Sequence, residues 1–268
     1  MSRMVLKSTA EIAIMDDANR VLREILAELR RVVAPGMTTG DLDRLVEERI
    51  RQAGGTPAFK GYPHRNDGRD FPASICASVN DEVIHGIPSD RAVLREGDIV
   101  SVDVGILYRG YYGDTAETFP VGAIDPVTER LLRVTRESLA LGVQEARPGR
   151  RTGDIGAAVQ CRVEADGFSV VREFVGHGIG SRLHEEPQVP NFGSPGQGLR
   201  LQEGMVLAIE PMVNAGGPEV LLASDGWTAR TRDGSRSAHF EVSVAVTGDG
   251  PRVLGEPEAL AGLLPAGR

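Results

Sequence analysis

The stretch Leu94-Arg-Glu-Gly-Asp-Ile-Val-Ser-Val-Asp103 is repeated later in the chain as Leu201-Gln-Glu-Gly-Met-Val-Leu-Ala-Ile-Glu210. In both copies an apolar run ends in an acid, and strand alternation places that acid on the same face as a small residue, Ser101 or Ala208. An unpaired buried carboxylate is too costly to keep. The repeat therefore predicts a cation between the two copies, either an Arg or Lys side chain or a metal ion.

A second repeat precedes the first one in each half. Pro35-Gly-Met-Thr-Thr-Gly-Asp41 recurs as Pro148-Gly-Arg-Arg-Thr-Gly-Asp154, and a helix-like stretch follows both copies. The period is about half the chain, which is too long for a solenoid. We therefore expect a single domain over residues 1–268, with similar halves at about 8–125 and 126–250, a pseudo-two-fold axis and a short C-terminal tail at 251–268. The functional site is expected where the halves meet.

Composition narrows the class of protein. The 268 residues are 41% hydrophobic, which is ordinary for a globular protein, and 30 basic against 38 acidic residues give a net charge of −8. This balance argues against a nucleic-acid footprint. Cys76 and Cys161 are too few for a disulfide framework, and no apolar run suits a signal peptide or a membrane span. The sequence predicts a cytoplasmic protein with no membrane role and, by default, a monomer.

Hydrophobic periodicity predicts an α+β fold. Ser8-Thr-Ala-Glu11 has the form of a capping box, and apolar residues then recur at helical spacing as far as Val33. Further helices are predicted at about 41–53, 127–146 and 153–166. Strands are predicted at 74–80, 99–107, 111–119, 169–175, 205–213 and 238–247. We expect a sheet that is covered on one face by helices.

Two more acids join those that end the repeats. Asp103 and Asp114 flank a turn signal, and a hairpin folded near 108–109 would place them almost opposite each other. Glu241 shares the small-residue face of its strand with Ser243 and Ala245. The four strand-borne acids outnumber any Arg or Lys that these strands supply. A metal is therefore the better counter-charge.

Three of the five histidines lie in compact phrases: Ile84-His85-Gly-Ile-Pro88, Gly176-His177-Gly-Ile-Gly180 and Leu183-His184-Glu-Glu-Pro187. One imidazole among four carboxylates suits Mn, Fe(II) or Co and is less suited to a closed structural zinc site. Four acids exceed the need of one divalent ion, so two ions about 3.5–4 Å apart are expected, as used for hydrolysis of peptide or phosphate bonds. The remaining two histidines, His64 and His239, are interpreted as surface or packing residues.

Five motifs in order, VDVG, GDT, GHGIG, IEPMV and SAHFE, resemble those of the methionine aminopeptidases. The resemblance covers nearly the whole chain, from the first helix to Val246. Without a long helical insertion in the second half or a Cys-rich N-terminal extension, the chain is similar to the short bacterial type I form. The resemblance implies the pita-bread fold, in which pseudo-two-fold halves surround a curved antiparallel sheet with helices on its outer face.

The resemblance also implies a ligand set and a mechanism. Asp103 would bind one metal ion, His177 and Glu210 the other, and Asp114 with Glu241 would bridge both. Glu210 would accept the proton of a metal-bridging water. The resemblance places His184 to donate to the scissile carbonyl oxygen and His85 to contact the scissile amide nitrogen. The substrate's N-terminal amine would bind the Asp103 metal, which implies exopeptidase action.

For specificity, the resemblance implies an apolar slot for the methionine side chain and a small second residue. The slot would be lined by Tyr62, Phe71, Cys76, Leu183, Met212 and Trp227. Three positions depart from the family pattern. Leu183 stands where an aromatic residue is usual, residues 63–70 lengthen the loop between Tyr62 and Phe71, and His239-Phe240 replaces the usual Gln-Tyr.

Two rival functions share this fold. A proline-specific aminopeptidase or prolidase carries much of the GHGIG and HE-x-P signal but usually has an extra N-terminal domain. A non-catalytic binding module would have lost metal ligands, whereas all five are present here. The favoured interpretation is an enzyme that removes the initiator methionine from peptides and nascent chains. It would use two divalent ions, Mn, Fe(II) or Co with Zn as a further option, and transient contact with the ribosome is expected from the task alone.

Overall fold

The computed structural model describes residues 4–64 and 68–255. The first half contains helices α1 (Thr9–Val32) and α2 (Thr39–Gln52) and strands β1 (Thr56–Pro57), β2 (Ile75–Val79), β3 (Glu82–Ile84), β4 (Ile99–Tyr108) and β5 (Tyr111–Pro120). The second half contains α3 (Pro126–Gln144), α4 (Thr152–Ala165), β6 (Ser169–Val170), β7 (Gly176–Gly178), β8 (Glu185–Val189), β9 (Val206–Ile209), β10 (Met212–Asn214), β11 (Val220–Leu222), β12 (Ala229–Thr231), β13 (Ser237–His239), β14 (Val242–Thr247) and β15 (Gly250–Val253). Within these ranges no helix combines the length and the apolarity that a membrane crossing requires.

Helix starts follow the local sequence. The backbone N–H of Ser8 donates to the Glu11 carboxylate over 2.7 Å, which completes the predicted capping box of α1. The backbone N–H of Arg151 donates to Asp154 over 2.7 Å at the start of α4. All four predicted helices are confirmed, with bounds that differ by one or two residues from those expected.

The two repeats place equivalent contacts in the two halves. Gly36 N–H donates to the Leu94 carbonyl oxygen over 2.8 Å, and Gly149 N–H donates to the Leu201 carbonyl oxygen over 3.0 Å. Each bond joins the loop before a helix to the first residue of a ten-residue repeat. The duplication read from the sequence is therefore present in the backbone hydrogen bonds.

Two antiparallel sheets form the centre of the molecule. In the first half, β4 lies between β2 and β5, with β1 paired to its far end. In the second half the strand order is β15-β14-β9-β7-β8, and two small sheets, β13-β10-β6 and β11-β12-β3, complete the architecture. The prediction of an α+β fold is confirmed.

The apolar face of each central sheet packs against its own pair of helices. Val100 and Val102 of β4 lie in a core cluster with side chains of α1 and α2. Leu207 and Ile209 of β9 lie in a second cluster with side chains of α3 and α4. The acids of both repeats thus lie on the sheet faces opposite the helices, as the alternation predicts.

Two long strands predicted in the second half are each divided by a break. The expected strand 205–213 is split into β9 and β10 at Glu210-Pro211, and the expected strand 238–247 is split into β13 and β14 at Phe240-Glu241. Pro211 has no N–H to offer to a ladder, so the chain leaves one sheet there and joins another. The expected strand 169–175 is reduced to Ser169–Val170. Two of the four acids consequently lie at points where the chain changes sheet.

The predicted C-terminal tail begins as an ordered strand. Residues 250–253 form β15, which pairs with β14, and the Gly255 N–H donates to Asp16 of α1 over 3.0 Å. Residues 256–268 of that expected tail lie outside the described residues. The last described residues therefore contact the first helix.

Candidate metal centre

The four acids and His177 meet at the seam between the halves. Asp103 lies in β4, Asp114 in β5, His177 in β7, Glu210 directly after β9 and Glu241 directly before β14. All five side chains are buried, with relative exposures of 8% or less. This set is called the carboxylate cluster below.

The hairpin places its two acids differently from the expectation. Tyr108 pairs with Tyr111, so the turn is formed by Arg109 and Gly110, both with positive φ as a type I′ turn requires. Asp114 then pairs with Gly105, two positions along β4 from Asp103. The two acids are diagonal neighbours on one face and are not directly opposite, because the turn lies one residue later than the expected one.

His177 faces three carboxylates. Its Nδ1 lies 2.9 Å from the Gly178 carbonyl oxygen, which can only accept, so Nδ1 carries the proton. Its Nε2 lies 3.5 Å from Glu210 Oε1 and 3.9 Å from Asp114 Oδ2. Potential ligand atoms of Asp114, His177 and Glu241 all lie within 4.8 Å of one another. The geometry brings a neutral imidazole nitrogen and carboxylate oxygens to one point.

No Lys or Arg side chain in the described ranges forms an ion pair with the four acids. The nitrogen-bearing side chains that do approach these carboxylates are His177 and His239. Buried oxygens of three acids, Asp103 Oδ1, Asp114 Oδ1 and Glu241 Oε1, have no hydrogen-bond partner. Burial raises the pKa of Asp103 to about 7. Burial and the neighbouring carboxylates raise the pKa values of Asp114, Glu210 and Glu241 well above their usual range. This set of hard oxygen donors with one imidazole fits a divalent cation.

His184 lies beside the cluster. Its ring centroid is 4.3 Å from that of His177, and its Nδ1 lies 2.7 Å from the hydroxyl of Tyr62. The hydroxyl therefore sets the direction of the imidazole. His184 precedes β8 directly, at the end of the segment that connects β7 to β8.

His85 lies on another side of the site. Its φ of +60° is in the left-handed region, which a non-glycine residue adopts only where the surroundings require it. The ring contacts Phe174 edge-on at a centroid distance of 5.5 Å, and the Trp227 ring lies 6.3 Å away. The His85 backbone also bonds to the Cys76 thiol, which connects it to the first sheet.

Five of the six predicted pocket residues share one apolar cluster, and the sixth does not. Met212 is fully buried in an adjoining cluster that also contains Ile84 and Val171. Phe71 is fixed by backbone bonds, from its N–H to the Tyr62 carbonyl over 2.9 Å and from Gly61 N–H to its own carbonyl over 2.8 Å. The members of the shared cluster are Tyr62, Phe71, Cys76, Leu183 and Trp227.

The described residues of the long loop before Phe71 are held by contacts with Trp227. The Trp227 indole N–H donates to the Arg69 carbonyl over 2.9 Å, and the Trp227 ring contacts Phe71 edge-on at 5.2 Å. His64 packs edge-on against Trp227 at 5.0 Å, which confirms the packing interpretation for this histidine. Residues 65–67 of the loop lie outside the described residues.

His239 is the neighbour that sequence reasoning missed. It was interpreted as a surface or packing residue, but it is 1% exposed and its Nε2 lies 3.7 Å from Glu210 Oε2. That nitrogen has no hydrogen-bond partner. Burial, together with His85, lowers the pKa of His239 to about 3, so the ring is neutral. The surface alternative is wrong, and a signal existed: His239 precedes Glu241 by two residues, the spacing that puts strand residues on one face.

Comparison with known proteins agrees with this geometry. The profile of metallopeptidase family M24 matches residues 13–248. The methionine aminopeptidase of Clostridium acetobutylicum is 49% identical over 251 residues, which are 94% of this chain and 98% of that protein. The crystal structure of the Thermotoga maritima methionine aminopeptidase superposes with a TM-score of 0.90 at 46% identity and covers 94% of this chain and 99% of that one. The prolidase from Pyrococcus horikoshii has a TM-score of 0.74 at 22% identity over 95% of this chain and 64% of its own length, which shows the fold alone.

The fold and the site define the class: duplicated halves of pita-bread architecture that enclose a buried cluster of metal-ligand type. The chain belongs to metallopeptidase family M24 and, within it, to the methionine aminopeptidases.

Proposed function

We propose that this chain is a metal-dependent aminopeptidase that removes N-terminal methionine from peptides and nascent proteins whose second residue is small. The observation that carries this proposal is the carboxylate cluster: four buried acids and one neutral imidazole without a basic side chain to balance them in the described part of the chain. Such a charge excess is stable only with bound cations or bound protons. A metallopeptidase needs the first of these.

The ligand assignment is the one that the resemblance to the methionine aminopeptidases implies. Asp103 would hold one divalent ion, His177 and Glu210 a second, and Asp114 with Glu241 both. The unpartnered oxygens of Asp103, Asp114 and Glu241 support this assignment, because each is a buried acceptor without a donor. Bound ions would lower the pKa of a water molecule and polarise the scissile carbonyl. Mn, Fe(II) and Co suit these donors best, and Zn is a further candidate.

Glu210 is the proposed base. It lies between two imidazoles, with Oε1 near His177 and Oε2 near His239, and its pKa is raised by burial and by Asp103. A carboxylate must be ionised to accept a proton, and bound cations beside Glu210 would favour its ionised form. Glu210 is thus suited to take a proton from the attacking water and to hand it on.

Two histidines would contact the substrate. His184 would donate to the carbonyl oxygen as negative charge develops there, with its ring directed by the Tyr62 hydroxyl. His85 would contact the nitrogen of the scissile amide. Two observations support these roles: the His184 ring is in contact with the His177 ring, and the His85 backbone bonds to Cys76, which pairs with Asp103.

The methionine side chain would enter the apolar cluster next to the acids. Aromatic rings of Tyr62, Phe71 and Trp227 surround this region, and a thioether packs favourably against aromatic edges. Leu183 and Cys76 belong to the same cluster and would add an aliphatic side chain and a thiol to the slot. Met212 would border the slot from the adjoining cluster.

The rival functions receive less support. A prolidase at 22% identity shares the fold alone, whereas the methionine aminopeptidases match nearly the whole chain at 46–49%. A non-catalytic binding module has no need of buried acids, and all of them are present here. A cytoplasmic location, a monomeric state and contact with the ribosome remain predictions from the sequence.

The test is release of the N-terminal residue from four peptides, Met-Ala-Ser, Leu-Ala-Ser, Met-Lys-Ser and Ala-Pro-Ser. The protein is stripped of metal, and Mn, Fe(II), Co or Zn is restored separately. We expect metal-dependent cleavage of Met-Ala-Ser alone. Preference for Ala-Pro-Ser would assign the chain to the proline-specific branch, and no release with any metal would favour the binding module. Glu241→Gln, assayed in parallel, should be inactive if the activity belongs to this site.

A further inference from the structure

We propose that the buried ion pair between Lys7 and Glu185 positions His184, so that the segment before α1 is part of the active site. This inference rests on the proposed function, because it concerns a residue of the same reaction. Lys7 touches none of the substrate-contacting side chains named above. It is a positioning residue that acts through Glu185.

The pair is short and secluded from solvent. Lys7 Nζ lies 2.7 Å from Glu185 Oε2, and each side chain is only 3% exposed. Lys7 Nζ also donates to the Val5 carbonyl over 3.1 Å, and the Lys7 backbone N–H donates to the Gly204 carbonyl over 2.7 Å. The segment before α1 is therefore bound to the second half, 178 residues away along the chain.

Glu185 uses its other oxygen to organise the connection between β7 and β8. Its Oε1 accepts from the Arg182 N–H over 3.1 Å and from the Ser181 hydroxyl over 3.4 Å. Burial opposes ionisation of Glu185, but the hydrogen bond and charge of Lys7, together with the N–H and charge of Arg182, outweigh it and lower the pKa of the carboxyl. A single ionised carboxylate thus joins Lys7 to the segment that contains Leu183 and His184.

The surroundings leave this connection little freedom. A Cβ atom at Gly180 would collide with the Lys7 side chain and would lie 2.8 Å from Glu185 Oε1. The Tyr112 N–H donates to the Gly180 carbonyl over 2.8 Å from the first half. Residues 180–185 are consequently held by β5 on one side and by Lys7 on the other.

His184 is the residue that depends on this arrangement. It precedes Glu185 directly, so its backbone position follows that of Glu185. Its imidazole is directed by the 2.7 Å contact with Tyr62. Without Lys7, the buried charge of Glu185 would be uncompensated, and the carboxylate would move towards water. The His184 ring would then lose its contact with the Tyr62 hydroxyl.

The experiment uses Lys7→Met in the full chain loaded with the metal that supports peptide release. We expect kcat for Met-Ala-Ser to fall about 10–100-fold, because misplacement of a catalytic group by about 1 Å has effects of this size. KM and the metal dissociation constant should stay near the wild-type values. In ¹⁵N-histidine NMR spectra, the His184 signals, assigned with His184→Asn, should shift. The NMR readout needs no turnover, so a protein without aminopeptidase activity would still test the positioning role.

Arg49→Met is the matched control. Arg49 forms a bidentate ion pair with Glu28 that joins α2 to α1, with hydrogen bonds of 2.7 and 2.8 Å. Both residues are far from residues 180–185 along the chain. It should lower stability without changing kcat or the His184 signals. The double variant Lys7→Met/Glu185→Gln removes the uncompensated charge and should regain kcat relative to Lys7→Met. Unchanged kcat and His184 signals in Lys7→Met, or effects equal to those of Arg49→Met, would overturn the proposal.

If Lys7→Met does not fold, Gly180→Ala disturbs the same contact by steric means. Its added methyl group meets the flexible Lys7 side chain first. A loss of kcat with shifted His184 signals and retained metal affinity would support the proposal. Wild-type kcat and wild-type signals in a folded Gly180→Ala protein would overturn it.

Discussion

Glu241 and Ala116 exchange backbone hydrogen bonds across the seam, with Glu241 N–H donating over 2.9 Å and Ala116 N–H over 3.4 Å. The Thr115 hydroxyl adds a bond of 2.8 Å to the Glu241 carbonyl, and the Ser243 hydroxyl one of 3.0 Å to the Asp114 carbonyl. These bonds place one acid from each half side by side. The two halves are thus hydrogen-bonded to each other at the carboxylate cluster, and the following predictions concern that region.

Asp114→Asn should weaken metal binding about 100-fold or more, since even the loss of a group that only orients a ligand costs 10–100-fold. The metal-free variant should be more stable than the metal-free wild type, because Asn removes a carboxyl whose ionisation is opposed by burial and by the neighbouring carboxylates. Metal titration by calorimetry and urea unfolding in chelator check the two parts. Glu117→Gln is the control: Glu117 lies on the opposite face of the same strand, paired with Arg30, and its loss should leave metal affinity intact. Equal metal affinity in the two variants would contradict the assignment.

The stability of the metal-free protein should fall as pH rises from about 4 to 7. Burial raises the pKa of Asp103 from 3.8 to about 7, so in that window the unfolded chain ionises while the folded one stays protonated. Asp103 should lower the free energy of unfolding by an amount on the order of 4 kcal/mol over this range. The Asp103→Asn variant should not show this decrease. Urea unfolding in chelator at several pH values measures the difference. Asp90→Asn, at an exposed ion pair, should behave as wild type. A constant difference between wild type and Asp103→Asn would exclude the effect.

His184→Gln should lower kcat about 100–1000-fold while metal affinity is retained, because the imidazole is proposed to stabilise developing charge on the carbonyl oxygen. Tyr62→Phe removes only the hydroxyl that directs the ring and should have a smaller effect, roughly tenfold. Steady-state kinetics with Met-Ala-Ser measure both. The order of the effects is the informative part. A larger loss in Tyr62→Phe than in His184→Gln would mean that the tyrosine acts directly on the substrate.

His239→Gln should make the protein more resistant to acid. Burial lowers the pKa of His239 to about 3, so below pH 6.5 the unfolded chain gains a proton that the folded one refuses, and stability is lost as pH falls. At pH 5 the wild type should have lost roughly 2 kcal/mol that the variant keeps. Thermal unfolding between pH 7.5 and 5 compares them. An identical pH dependence for both proteins would show that the buried imidazole takes up its proton without cost.

Much of this fold can be predicted from local pattern. The repeats ending at Asp103 and Glu210 identify the duplicated halves, since equivalent loops bond to equivalent strands. Helix caps such as Ser8 depend on neighbouring residues alone and can also be predicted from the sequence. Strand breaks are harder, because β9 and β10 look like one apolar run until Pro211 is recognised as the point where the chain changes sheet.

The features of the site that the sequence did not predict depend on contacts between distant parts of the chain. The predicted turn is one residue too early, and this shifts the predicted pairing along the whole hairpin. Asp114 is therefore diagonal to Asp103 and not opposite it. The place of Phe71 depends on its backbone bonds to Tyr62 and Gly61, and these bonds have no local signal in the sequence. His239 was missed because a lone histidine is weak evidence, although its spacing from Glu241 was informative.

The seam also determines when all five residues of the carboxylate cluster can come together during synthesis of the chain. Asp103 and Asp114 leave the ribosome more than a hundred residues before Glu241, and the bonds between Ala116 and Glu241 cannot form until that last acid has emerged. Until then the two acids of the first half can meet only His177 and Glu210 from the second half. If the proposed ligand assignment holds, the complete set of ligands therefore exists only after both halves of the chain have been translated.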